Sequence, residues 1–195
     1  MRKENLSDNT LIKQFVSGDA TAFDALLARY RKKIYTYIYL SVKRKDVADD
    51  IFQETFIKVI RSLKDGKYSE SGKFAPWVVR IAHNLIIDHF RKLRQNNECS
   101  NENTDGLSIT GDEFSDLNAE ERAVKLQIRK DVRQLLDFLP SDQRDIVLMR
   151  YYMNMSYKEI SEQLNININT ALGRMRYAII NMRKMVEESK KMLVA

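Results

Sequence analysis

The chain has 195 residues, 31% of them charged, and 33 Lys and Arg against 27 Asp and Glu leave a net charge of +6. That length suits one substantial domain or two small ones, and six Gly with two Pro favour helices over many-turned β structure. A single cysteine, Cys99, excludes an internal disulfide and a Cys-rich zinc site. No apolar run reaches the ~18 residues of a membrane span, and the start, Met-Arg-Lys-Glu-Asn, lacks the apolar core of a signal peptide, so a soluble, cytoplasmic chain without membrane insertion is expected.

Charge divides the chain in three. Residues 1–94 carry net +8, residues 95–120 hold seven acids and no Lys or Arg, and residues 121–195 carry net +5. The middle stretch is rich in Asn, Ser, Asp, Glu and Gly, a composition that buries too little apolar area to offset its ordering entropy. It reads as a flexible acidic linker between two small helical domains, and the fold class as all-α.

In the first domain, Ala20, Phe23, Leu26, Leu27, Tyr30, Ile34 and Ile38 recur at steps of three and four, one stripe of a long helix, with Asp19 as its N-cap. A helix over about 46–63 has the apolar face Ala48, Phe52, Thr55, Val59 and Leu63. Its polar face gathers Asp49, Asp50, Gln53, Glu54 and Lys58, which periodicity alone reads as a solvated surface. Residues 67–73 form a loop by composition. The next helix opens near Pro76, where a missing amide hydrogen leaves nothing unpaired. Val78, Ile81 and Leu85 make its core stripe, and Arg80, Asn84, Asp88 and Arg91 share another face. Arg91, Lys92 and Arg94 make its end basic, which suits the helix dipole. A basic helix carrying Trp, Asn and His can grip phosphates and stack on or hydrogen-bond unpaired bases, although a plain surface helix with a buried Trp fits as well. His83 and His89 point roughly 240° apart on a helix and cannot share a metal. No Ser-His-Asp set, phosphate loop or ligand spacing occurs. Catalytic residues, metal and cofactor are therefore all read as none.

In the second domain, Ala123, Leu126, Ile128, Val132, Leu135, Leu136 and Leu139 describe a helix ending before Pro140. Ser141 or Asp142 can cap the next, which carries Ile146, Val147, Met149 and Tyr152. Residues 156–178 then read as two short helical patterns around an Asn-Ile-Asn turn. Ile160, Leu164 and Ile166 face inward, and Ala171, Met175, Ala178 and Met182 form the second helix's buried face, with Asn169 or Thr170 as its N-cap. Leu172, Gly173, Arg174, Arg176 and Tyr177 are left outward. This is the pattern of a helix-turn-helix, a four-helix or winged-helix-like DNA-binding domain whose second helix enters a major groove.

Four stretches in this order resemble the sigma-70 family, specifically its extracytoplasmic-function (ECF) group. They are Asp50-Ile-Phe-Gln-Glu-Thr-Phe, then Phe74-Ala-Pro-Trp through Phe90-Arg-Lys, then Leu139-Pro-Ser-Asp-Gln-Arg through Arg150-Tyr, and Ser156-Tyr-Lys-Glu-Ile through Tyr177-Ala. The resemblance covers nearly the whole chain. It implies a non-enzymatic promoter-specificity subunit of bacterial RNA polymerase. Asp50, Gln53, Glu54 and Phe56 would dock on the clamp helices of the polymerase β′ subunit. Lys67, Lys73, Trp77, Arg80, Asn84, Asp88, Arg91 and Lys92 would serve minus-ten recognition, the 67–73 loop holding a flipped base. The linker would run through the RNA-exit region. Arg150, Asn169, Thr170, Leu172, Gly173, Arg174, Arg176 and Tyr177 would serve the minus-thirty-five element. The implied partners are core RNA polymerase through the β′ clamp helices and the β flap, promoter DNA, and an inhibitory anti-sigma factor. Two features depart from the family pattern: Leu172-Gly173 where many relatives place Lys or Arg and then Ser, and no Gly before Thr170, a conformation Asn169 would fill. A stand-alone helix-turn-helix regulator and a helical scaffold or small enzyme are the alternatives from other classes.

Overall fold

The computed structural model describes residues 6–69, 73–95 and 132–194, the last six by their helical backbone alone. Past Gln95, the linker assignment lies outside the described residues, as do Ala123, Leu126 and Ile128. The chain forms two compact units, residues 1–106 and 107–195, and the described residues contain no strand.

The first unit holds α1 (Asp8–Val16), α2 (Ala20–Val42), α3 (Lys45–Lys64) and α4 (Phe74–Gln95). Helix α1, which the apolar periodicity had not delineated, is capped by Ser7, whose Oγ accepts from Thr10 N–H. Asp19 caps α2 as expected, accepting from Thr21 N–H. The core is Leu11 and Ile12 of α1, Phe23, Leu26, Ile34, Tyr37 and Ile38 of α2, Ala48, Ile51, Phe56, Val59 and Leu63 of α3, and Phe74, Val78, Val79, Ala82, Leu85 and Ile86 of α4. Several expectations for core faces shift: Ala20 is exposed, and Leu27, Tyr30, Phe52 and Ile81 are only half-buried, while Ile51, Val79, Ala82 and Ile86 fill the interior. Helix α4 starts two residues before Pro76, and Pro76 still falls in the first turn, where its missing N–H has no intrahelical partner to lose. Asp8 accepts from both Arg29 and Tyr30, tying the start of α1 to the middle of α2.

One polar pair crosses this core. His83, 8% exposed, lies 2.9 Å through Nδ1 from the hydroxyl of fully buried Tyr37. With Tyr37 donating, the imidazole must stay neutral, and burial pushes its pKa down to about 4.

The second unit contains α5 (described over 132–137), α6 (Ser141–Val147), a π-helical turn (Leu148–Tyr152), α7 (Tyr157–Leu164) and α8 (Ile168–Val194). Neither Ser141 nor Asp142 caps α6: the cap position is Pro140, without a side-chain bond, and Asp142 Oδ1 accepts from Gln143 N–H. In the π turn the N–H of Met153 reaches back to the carbonyl of Leu148. Nothing in the apolar pattern distinguishes that turn from ordinary α-helix. Leu136, Leu139, Ile146, Leu148, Met149, Met155, Ile160, Ala171, Met175 and Ala178 make the core. Val132, Leu135, Leu164, Ile166 and Met182, all expected to face inward, are half-buried rather than central.

The folded-state pKa of His83 lies below the ordinary value of 6.5. The unfolded chain therefore takes up the proton first, and stability is lost as pH falls from about 6.5 towards 4. Trp77, the single tryptophan, reports unfolding of this unit by fluorescence. In urea titrations, the stability gap between the native chain and His83→Gln should shrink by about 2 kcal/mol between pH 7.5 and 4.5. A gap that does not change with pH would remove His83 as the acid-sensitive group.

Candidate nucleic-acid interface

Helix α3 is rotated so that its apolar side faces α2 and α4, which leaves Asp50, Gln53 and Glu54 exposed on one face. Glu54 pairs with Lys58 at 3.0 Å, one turn on. Asp49 turns the other way and accepts from the Tyr35 hydroxyl at 2.7 Å. Phe56, which the resemblance puts at the polymerase surface, is 6% exposed. Its ring lies 4.8 Å from that of Phe52 and 6.3 Å from that of Phe23, so it seats α3 in the core instead of facing outward. The acidic face borders a cleft of about 490 Å³ whose other wall is Asp88, His89, Arg91 and Lys92 of α4. Burial, and next the nearby Arg44 guanidinium, hold the His89 pKa below its ordinary value.

Helix α4 is buried along one side through Val78, Ala82, Leu85 and Ile86, and that leaves Arg80, Asn84, Asp88, Arg91 and Lys92 exposed. Asp88 pairs with Arg91 at 3.0 Å. Trp77 is half-buried in an aromatic cluster. Its ring centroid lies 4.9 Å from Tyr68 and 5.9 Å from Phe74, and Phe74 lies 5.5 Å from Tyr30. Lys67 and Lys73 are exposed on either side of Tyr68, Lys67 pairing with Asp65 at 2.8 Å. Residues 70–72 of this loop lie outside the described residues. Sequence patterning missed Tyr68; its signal is an aromatic residue in a polar loop just before an aromatic-rich helix start. The cluster offers π faces beside cations, the pairing that binds unpaired bases.

In the second unit Ser156 and Glu159 form a reciprocal capping box on α7, with Ser156 Oγ accepting from Glu159 N–H at 3.2 Å and Glu159 accepting from Ser156 N–H at 2.7 Å. Helix α7 ends on Asn165 in the left-handed conformation, φ 52°, where Asn carries less strain than most residues. Helix α8 begins three residues later, and Asn167 Oδ1 accepts from Asn169 N–H at 2.8 Å. The cap is therefore Asn167. Asn169 and Thr170 are exposed in the first helical turn, and Asn169 does not take the special conformation.

With Ala171, Met175 and Ala178 buried, the outward face of α8 presents Asn169, Thr170, Leu172 (44% exposed), Gly173, Arg176 and Tyr177 (62%). Arg174 sits on the flank and pairs through Nε with Asp142 of α6 at 3.2 Å. Arg150 is also engaged: Nη1 donates to Met155 O at 2.9 Å, and its guanidinium lies 5.2 Å over the Tyr157 ring. It thereby braces the start of α7 against the π turn. An apolar groove of about 580 Å³ runs between α5, the π turn and α8, lined by Leu135, Leu136, Tyr151, Ile179, Met182 and Val186 among others.

Comparison with known proteins agrees with this geometry. The family profile "Sigma-70 region 2" matches residues 26–96, and "Sigma-70, region 4" matches residues 129–172. Over 180 residues the chain is 31% identical to the ECF RNA polymerase sigma factor SigW of Bacillus subtilis, covering 91% of this chain and 95% of that one. The chain belongs to the sigma-70 family, in its ECF group. It is also 30% identical to the RNA polymerase sigma-H factor of Pseudomonas aeruginosa over 86% of this chain and 87% of that one. The same fold occurs in the sigma factor RpoE of Bartonella quintana, solved with the anti-sigma factor NepR. There the TM-score is 0.66 at 17% identity, over 85% of this chain and 96% of that one. Sigma-70 region 2 thus corresponds to α2–α4, and region 4 to α5, α6, the π turn, α7 and the start of α8. Family membership makes the chain a transcription-initiation factor that works with RNA polymerase.

Gly173 has no neighbour within 4 Å of where a Cβ would sit, and its φ is not in the positive range. Packing therefore does not require glycine there. Gly173→Ala should stabilise region 4 by up to ~1 kcal/mol, because glycine within a helix costs about that much. A lower melting temperature for the helical signal would show that the site is crowded.

Proposed function

We propose that this sigma factor gives core RNA polymerase its promoter choice through two reading heads, residues 1–94 and 121–195, joined by the acidic 95–120 segment. The first head docks on the β′ clamp helices through Asp50, Gln53 and Glu54 of α3. It opens and reads the minus-ten element with Trp77, Arg80 and Asn84, while Lys67, Lys73, Arg91 and Lys92 supply cations for the backbone. Unstacking a base costs a few kcal/mol, and the Tyr68–Trp77–Phe74 cluster can return part of it by stacking. The second head reads the minus-thirty-five element with Asn169, Thr170, Leu172, Gly173, Arg176 and Tyr177. Leu172 cannot hydrogen-bond a base edge but can touch a thymine methyl, so part of the preference comes from duplex shape. The apolar groove between α5 and α8 suits an amphipathic helix from the β flap. Bond formation belongs to polymerase, not to this chain, and the setting is the cytoplasm. An anti-sigma factor is the inhibitory partner this reading implies.

The observation that carries the reading is the outward face of α8. It is exposed, it belongs to the second helix of a helix-turn-helix whose first helix carries a capping box, and it presents polar, cationic and aromatic groups together. Run-off transcription with purified core polymerase and a genomic fragment library tests it: the chain should produce discrete promoter-dependent transcripts, and their absence, with no complex formed, would end the proposal. Gln53→Ala combined with Glu54→Ala should weaken capture of core polymerase at least about tenfold, as losing interface anchors does, while the circular dichroism spectrum stays native. Undiminished capture would remove the α3 docking assignment.

A further inference from the structure

The stripe that α8 buries is smooth. Two of its three central residues are alanines, Ala171 and Ala178, and alanine offers little to stop a helix from rolling about its axis. Two polar contacts supply what the stripe lacks. Asp142 Oδ2 meets Arg174 Nε at 3.2 Å, and Gln143 Oε1 accepts from Asn181 Nδ2 at 2.9 Å. Asp142 and Gln143 are neighbours at the start of α6. Arg174 and Asn181 are seven residues apart on α8, about two turns or ~10 Å along one face. Two points separated along a helix fix both roll and tilt, whereas one point allows pivoting. Asp142 is itself held, because its Oδ1 accepts from Gln143 N–H at 3.0 Å.

We propose that Asp142 and Gln143 are positioning residues for minus-thirty-five recognition: they clamp the roll of α8 through Arg174 and Asn181 and keep Arg174 off the DNA. This rests on the promoter reading above and deepens it by dividing the arginines of α8. Arg176 contacts DNA. Arg174, which its place in the helix-turn-helix puts among the readers, instead sets where the readers point. Side-chain tips lie about 5–6 Å from a helix axis, so a roll of ~15° displaces them by ~1.5 Å, enough to break a hydrogen bond to a base edge.

The test uses the full chain bound to core polymerase. A minus-thirty-five element is first selected from a randomised library by the wild-type complex. Affinity for that element and for a scrambled one is then measured across salt concentrations. Each phosphate contact contributes about 0.9 to the slope of log affinity against log salt. Arg176→Ala should lower the slope by about one, and Arg174→Ala should leave it unchanged. Asp142→Asn, which frees Arg174 to swing to a phosphate, should steepen the slope by about one. It should also cut discrimination between the two elements about two- to fivefold, the range a half-exposed ion pair can supply. A purely structural role for Asp142 would not steepen the slope. If Arg174→Ala lowers the slope as Arg176→Ala does, or if Asp142→Asn discriminates as well as wild type, the clamp is wrong while the promoter reading stands. If the wild-type complex enriches no element, the promoter reading fails and the clamp fails with it.

Discussion

Burial of Ala171, Met175 and Ala178 along one stripe of α8 decides what the rest of that helix can do. A helix has one face to give to its core. Once that face is fixed against α6 and α7, residues Asn169, Gly173, Arg176 and Tyr177 are turned outward by the 3.6-residue period. The elements around α8 all serve this placement. The capping box on α7, the left-handed Asn165 and the Asn167 cap bring the chain out of one helix and into the next within three residues. The π turn and Arg150 seat the start of α7 from the other side. The small size of the buried residues lets α8 lie close to its neighbours, and it also explains why polar contacts from α6 matter for orientation.

The first unit solves a similar problem with larger side chains. Helix α4 buries Phe74, Val78, Val79, Ala82, Leu85 and Ile86 and still leaves a polar, mostly basic edge in solvent. Its start is held by the aromatic cluster around Phe74 and its middle by the Tyr37–His83 pair. The work on unpaired bases proposed for this helix calls for side chains held in this way, because stacking returns energy only to groups already in place. The acidic face of α3 and the basic end of α4 border one cleft. Attraction between the two walls is available at short range, and a partner that covers the cleft would strengthen it by excluding water.

Long periodic segments were legible in the sequence. The central parts of the stripes of α2, α3 and α8 and the Asp19 cap follow from spacing alone, while Ala20, Phe52 and Met182 at their margins stay outside the core, and family resemblance attached functions to exposed faces that periodicity had read as solvated surface. Other features depend on tertiary partners and could not be read. Phe56 matched a docking motif, yet Phe52 and Phe23 hold it inside. Arg174 looked outward by its place in the helix-turn-helix, and only the approach of α6 reveals Asp142 as its partner. His83 lay on an ordinary helical pattern with nothing to indicate that Tyr37, 46 positions away, would meet it. The π turn inserts one residue's worth of rotation without altering the apolar count. The N-cap moved from Asn169 or Thr170 to Asn167 because three asparagines lie within five residues and local chemistry does not rank them. The Ser156–Glu159 spacing, by contrast, is a capping-box signature that the sequence displays openly.

The central claim is that sequence preference emerges from the chain and polymerase together rather than from a free-standing DNA-binding domain. Its most direct test compares fluorescence anisotropy on a promoter duplex and on a scrambled duplex, with the chain alone and with the chain bound to core polymerase. The account predicts little or no discrimination by the chain alone and clear discrimination by the complex. Equal discrimination by the chain without polymerase would contradict it and identify an independent regulator.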